Sequence, residues 1–143
     1  MAVNTGGEAS PAPRILVVDD EPGIRVALRR YFQRRGWAVD EAANGARALQ
    51  LLMATPPSGG YDVVICDLTM PVFSGVELHD ALAVSRPELL DRMIFSTGCV
   101  ASPTRGEFLA RWGRPVLEKP FDLSTLGRAV ERILESRETA GAR

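Results

Sequence analysis

Short continuous apolar runs alternate along this chain with stretches in which apolar positions recur every three or four residues. Arg14-Ile-Leu-Val-Val-Asp19 holds four apolar residues in a row and ends at acids, the mark of a strand buried on both faces. From Ile24 the pattern changes. Ile24, Leu28, Tyr31 and Phe32 fall on one face of a helix, with Pro22 suited to its first turn and Gly36 to its C-terminal stop. A weaker strand over Trp37–Ala42, a short helix over Ala46–Met53 and a surface loop over Thr55–Gly60 follow. Tyr61–Cys66 reads as the central strand, ending at Asp67, and a turn then leads to a helix from about Val76 to Val84. A fourth strand is expected over Asp91–Ser96. Ser102 and Pro103 read as an N-cap and first-turn proline opening a helix to about Trp112. Arg114–Glu118 completes the strands. Asp122 caps a last helix striped by Leu123, Leu126, Val130, Ile133 and Leu134.

Five such strand–helix units predict an α/β fold, a doubly wound parallel five-stranded sheet of flavodoxin-like (βα)5 type with helices on both faces. In the strand order 2-1-3-4-5, strands 1 and 3 flank the topological switch point, and ligands bind there, outside the carboxyl ends of the strands. Chemistry should therefore sit just after Val18, Cys66, Ser96 and Glu118.

Those positions carry Asp19, Asp20 and Glu21; Asp67; Thr97 and Gly98; and Lys119 followed by Pro120. Converging carboxylates about 4 Å apart repel by roughly 4 kcal/mol at an effective dielectric near 20, so the cluster calls for a cation. A few carboxylates and a carbonyl make a hard, all-oxygen site that suits Mg²⁺. A carboxylate can act as a nucleophile toward phosphorus, and a metal and a lysine can neutralise the equatorial oxygens. Of the 17 basic residues, one is a lysine, and it is Lys119. Singly these residues read as turn, cap or surface groups; together, at four strand ends around one crevice, they read as a site.

Composition adds limits. A net charge of −1 gives no field favouring nucleic acid. The cysteines, Cys66 and Cys99, have no zinc or disulfide spacing, which points to a cytoplasmic setting. Residues 1–13 read as a disordered leader without signal-peptide character, 14–136 as one domain and 137–143 as a flexible tail; no stretch is apolar enough for a membrane span. His79 is expected to face solvent on its helix, Cys66 to be a buried small hydrophobe, and Trp37 and Trp112 to be packing residues.

The segments VVDDEP (Val17–Pro22), DLTMPVFSG (Asp67–Gly75), FSTG (Phe95–Gly98) and EKPF (Glu118–Phe121) resemble the receiver domain of bacterial response regulators, in the manner of a chemotaxis-regulator-like single receiver. The resemblance spans residues 14–136. It implies Asp67 as phosphoacceptor, with Mg²⁺ held by Asp19, Asp20, Asp67 and the backbone carbonyl of Thr69. It further implies Thr97 and Lys119 as phosphoryl contacts, and a cis bond before Pro120. The implied donor is a phosphohistidine of a sensor histidine kinase or phosphotransfer protein. The implied output is a protein target on the helix 4–strand 5–helix 5 surface, with no nucleic acid or membrane partner and no activity beyond the domain's own phosphotransfer and dephosphorylation. Many receivers carry an aromatic residue three positions before the lysine; here Val116 stands at that switch position.

Three readings stay open: a stand-alone regulator, a receiver module from a hybrid kinase or larger regulator, and a haloacid-dehalogenase-like phosphatase. The last needs a second aspartate two residues after the nucleophile, where this chain has Thr69. No glycine-rich phosphate loop follows the first strand.

Overall fold

The computed structural model describes residues 12–56, 60–98 and 103–141. Five strand–helix units follow one another: β1 (Arg14–Val18), α1 (Pro22–Gln33), β2 (Ala38–Ala42), α2 (Gly45–Met53), β3 (Val63–Asp67), α3 (Gly75–Ser85), β4 (Met93–Thr97), α4 (Pro103–Trp112), β5 (Leu117–Glu118) and α5 (Leu123–Gly141). The sheet has the order β2-β1-β3-β4-β5 with every pair parallel, as the alternation predicts.

Strand side chains alternate between two cores, because successive residues point to opposite faces. Leu16, Val18, Val64, Cys66 and Phe95 pack toward α2, α3 and α4, with Leu52, Leu78 and Phe108. Ile15, Val17, Val63, Ile65 and Ile94 pack toward α1 and α5, with Leu28, Phe32, Leu126 and Val130. Burial on both sides explains why β1 and β3 read as unbroken apolar runs.

The helix ends follow local chemistry. Asn44 caps α2 by accepting from the Arg47 N–H. Ser74 and Glu77 form a reciprocal capping box on α3. Gly36 (φ 87°) and Gly113 (φ 65°) take the left-handed conformation after α1 and α4, which favours glycine.

Several expected boundaries move. The fourth strand starts at Met93 instead of Asp91, because a 3₁₀ turn led by Pro87 occupies residues 87–92. The third strand starts at Val63 and includes Asp67. The fifth strand shrinks from Arg114–Glu118 to Leu117–Glu118. Pro115 has no N–H for the ladder, and the Arg114 guanidinium is spent on the Leu90 carbonyl and Asp91.

In the segment expected as a tail from 137, α5 continues as far as Gly141. Arg137 anchors it, 2.6 Å from Asp62 Oδ1. The leader's residues 1–11, Cys99 and the Ser102 cap lie outside the described residues. Pro13, just before β1, accepts from the Ala38 N–H through its carbonyl at 2.9 Å and so continues the β1–β2 pairing.

His79 does not face solvent. It packs edge-on against Phe108 and Trp112, with centroids 4.9 Å and 5.5 Å away, and its ring is 13% exposed. Trp112, Trp37 and Cys66 are packing residues as expected; burial pushes the Cys66 thiol well above its ordinary pKa, leaving it a small hydrophobe.

Candidate functional site

The carboxyl ends of β1, β3, β4 and β5 lie side by side, and backbone hydrogen bonds fix the residues there. The Asp19 N–H donates to the Ala42 carbonyl at 3.1 Å, the Leu68 N–H to the Ser96 carbonyl at 2.8 Å, and the Lys119 N–H to the Thr97 carbonyl at 2.8 Å. The ladder thus brings Asp19, Asp67, Thr97 and Lys119 together, although up to 100 residues separate them in the chain.

Asp19 and Asp67 are 3% and 5% exposed, so their charges need partners. Lys119 supplies one. Its Nζ donates to Asp19 Oδ2 at 2.8 Å, Asp67 Oδ2 at 2.9 Å and Glu21 Oε1 at 3.2 Å. Backbone donors take the opposite oxygens: Glu21 N–H reaches Asp19 Oδ1 at 2.9 Å and Thr69 N–H reaches Asp67 Oδ1 at 3.1 Å. Burial pulls the Lys119 pKa down, but hydrogen bonds and attraction from both aspartates outweigh it and hold the ammonium above its ordinary value. Asp19 is pushed the other way from the usual salt-bridged acid. Burial raises its pKa, and the bonds from Lys119 and the Glu21 N–H do not fully offset it. The asymmetry is physical: Lys119 has three carboxylates around it, two of them buried, while Asp19 shares one ammonium and faces the charge of Asp67.

Asp19, Asp20 and Asp67 each present an oxygen within 4.8 Å of the other two. At that separation each ionised pair repels by about 3.5 kcal/mol at an effective dielectric near 20. A hard, oxygen-only donor set with excess negative charge could hold a divalent cation. It opens on a cavity of about 270 Å³ lined by Asp20, Glu21, Asp67 and Lys119 on one side, with Thr69, Gly98 and Arg105 completing the wall.

The loop after β3 is shaped around Asp67. A Cβ on Gly75 would lie 2.3 Å from the Asp67 carbonyl oxygen, so only glycine lets α3 begin so close to that backbone. Val72 has φ 73° and sits in a three-residue turn closed by a 2.8 Å bond from the Phe73 N–H to the Pro71 carbonyl. Such γ-turns are rare and strained, and a β-branched residue makes this one more so.

Of the residues expected here, the Lys119–Pro120 peptide bond is cis, and Thr97 is buried at the site with its Oγ1 donating to the Gly98 carbonyl at 3.1 Å. Val116 is not in the cavity. It packs against the core that holds Phe95, Phe108 and Trp112.

Glu21, expected at the end of the first strand, lines the cavity and binds Lys119. One residue here was not expected. Arg105 reaches in from α4, its Nη1 donating to Thr97 Oγ1 at 2.7 Å and to the Gly98 carbonyl at 2.8 Å. A signal for Arg105 existed: an arginine in the first turn of a helix opposes the helix dipole and so invites another explanation.

The sequence profile of the response regulator receiver domain matches residues 15–131. Among similar curated proteins, the sensor kinase CckA of Brucella abortus is 30% identical over 136 residues, covering 95% of this chain but 14% of that protein. The chain thus spans about a seventh of that relative. The sporulation initiation phosphotransferase F of Bacillus subtilis is 30% identical over 121 residues, covering 85% of this chain and 93% of that protein. Among solved structures, the response regulator TrrA of Thermotoga maritima, determined with Mg²⁺ and BeF, superposes with a TM-score of 0.65 at 32% identity, covering 85% of this chain and 98% of that one.

Proposed function

This chain belongs to the response regulator receiver domain family of two-component signalling, and from that premise we propose that it accepts a phosphoryl group on Asp67 in an Mg²⁺-dependent reaction with a phosphohistidine donor. The observation that carries the reading is Lys119 Nζ bridging Asp19 and Asp67 at the floor of an open, acid-lined cavity.

In this reaction an Asp67 carboxylate oxygen attacks phosphorus, the phosphorus–nitrogen bond breaks and the imidazole leaves, so an acyl phosphate forms. Mg²⁺, held by Asp19, Asp20, Asp67 and the Thr69 carbonyl, would supply charge neutralisation for the phosphoryl oxygens. Lys119 carries the second positive charge. Thr97 Oγ1 has one proton, now given to the Gly98 carbonyl; an arriving phosphoryl oxygen is the stronger acceptor.

The donor is a sensor histidine kinase or phosphotransfer protein. An apolar groove lined by Ile24, Ala27, Leu28, Pro120, Phe121 and Leu123 shares Glu21, Gly98 and Lys119 with the cavity, which supports approach by a protein donor. The output is a protein contact on the α4–β5–α5 surface. The domain catalyses its own phosphotransfer and dephosphorylation and no other reaction. Among the described residues, no helix is long and apolar enough to cross a membrane.

The test is acetyl phosphate with Mg²⁺, read by intact mass. The wild type should gain one base-labile phosphoryl group and Asp67→Asn none. The same gain in Asp67→Asn would place the acceptor elsewhere.

A further inference from the structure

Among the described residues, Arg105 is the guanidinium that reaches the cavity, and the reaction proposed above leaves it without a role. Its placement is specific. It stands in the first turn of α4 and turns back toward the end of β4, where one Nη1 holds both Thr97 Oγ1 and the Gly98 carbonyl. A guanidinium has no acceptor, so Thr97 Oγ1 receives this bond through a lone pair and keeps its own proton for another partner. The bond therefore orients the hydroxyl without consuming its donor. Arg105 is also one of the residues lining the cavity beside Asp67 and Lys119.

We propose that Arg105 is a phosphoryl-binding residue of this domain. In the unmodified protein it ties α4 to Thr97 and Gly98; once Asp67 carries a phosphoryl group, its fork of N–H donors binds the phosphoryl oxygens beside Lys119. The inference rests on the phosphoacceptor reading and adds a cation that the strand ends do not supply. The chemistry favours it. Planar guanidinium matches tetrahedral oxyanions with two parallel donors, and charge-assisted bonds of this kind are the strong ones. Thr97 Oγ1 and the Gly98 carbonyl, to which its Nη1 donates, are both neutral, and a dianionic phosphoryl group is a stronger acceptor than either.

The test compares wild type, Arg105→Gln and Arg105→Lys by calorimetric titration. Two probes are used: Mg²⁺ alone, and beryllofluoride in saturating Mg²⁺. Acetyl phosphate modification rates are measured alongside. Arg105→Gln should weaken beryllofluoride binding about tenfold or more, the loss expected for one hydrogen bond to a charged group. Mg²⁺ affinity should stay equal or tighten, because a cation has left an acid-rich cavity. A merely structural role would weaken both probes together. Arg105→Lys should recover part of the anion affinity, since it restores the charge but not the fork. Beryllofluoride affinity and modification rate within twofold of wild type in Arg105→Gln would overturn the inference while leaving the phosphoacceptor reading intact. A wild type that takes up neither beryllofluoride nor a phosphoryl group would instead overturn the reading beneath it.

Discussion

Lys119 Nζ stands between two buried carboxylates, 2.8 Å from Asp19 Oδ2 and 2.9 Å from Asp67 Oδ2. Removing one partner of a buried pair costs about 3–5 kcal/mol, because the charge left behind is uncompensated. Lys119→Met is therefore expected to destabilise the apo protein by about 3 kcal/mol in denaturant melts. Saturating Mg²⁺ should shrink that loss, since a divalent cation can neutralise the same aspartates. An equal loss with and without Mg²⁺ would separate the lysine's structural role from the acid cluster.

The acid cluster makes a prediction of its own. Mg²⁺ should raise the melting temperature of the wild type by relieving repulsion among Asp19, Asp20 and Asp67. Asp20→Ala should abolish most of the shift, measured by thermal denaturation at several Mg²⁺ concentrations. An undiminished shift in that variant would move the metal elsewhere.

Much of this site was legible because β1 and β3 are buried on both faces. Unbroken apolar runs mark where such strands stop, and the parallel order then dictates that Asp19, Asp67, Thr97 and Lys119 meet. Strand lengths were harder to read. Arg114–Leu117 carries strand-like residues, yet the missing N–H of Pro115 and the outward engagement of Arg114 leave β5 two residues long. His79 was misplaced for a different reason. Its partners Phe108, Trp112 and Phe95 come from other elements, so its burial depends on tertiary contacts that no local period contains. Arg105 escaped because α4 begins well after the end of β4, beyond the residues that immediately follow the strand.

Val72 offers a test of stored backbone strain. It is 84% exposed, so little packing is lost on truncation, and it holds φ at 73°. The left-handed region costs an L-residue about 1–2 kcal/mol, part of which glycine returns as unfolded-state entropy. Val72→Gly should raise unfolding free energy by about 0.5 kcal/mol, with an unchanged dependence on denaturant. A destabilised variant would mean that the turn carries no strain worth relieving.

Tyr61 predicts a pH dependence far from the site. Burial, reinforced by its 2.6 Å hydrogen bond to Asp40 Oδ2, pushes its phenol from 10.0 up to about 12. A pKa raised in the folded state stabilises fully below the unfolded value and is lost as pH rises through the folded one. The stability difference between wild type and Tyr61→Phe should therefore be about 1 kcal/mol at neutral pH and fall between pH 10 and about 12. Chemical denaturation across that window would read it, and a constant difference would contradict the assignment.

The scarcity of lysine has a practical side. Lys119 carries the one side-chain ammonium in the sequence, so lysine labelled with nitrogen-15 at Nζ lights up a single nucleus, and that nucleus sits at the proposed acceptor. Arrival of a cation or an anion in the cavity can be followed on that one resonance without introducing any tag. Amine-specific acylation gives the complementary footprint. A protonated ammonium paired with three carboxylates reacts slowly, so its labelling rate reports how far that pairing is relieved.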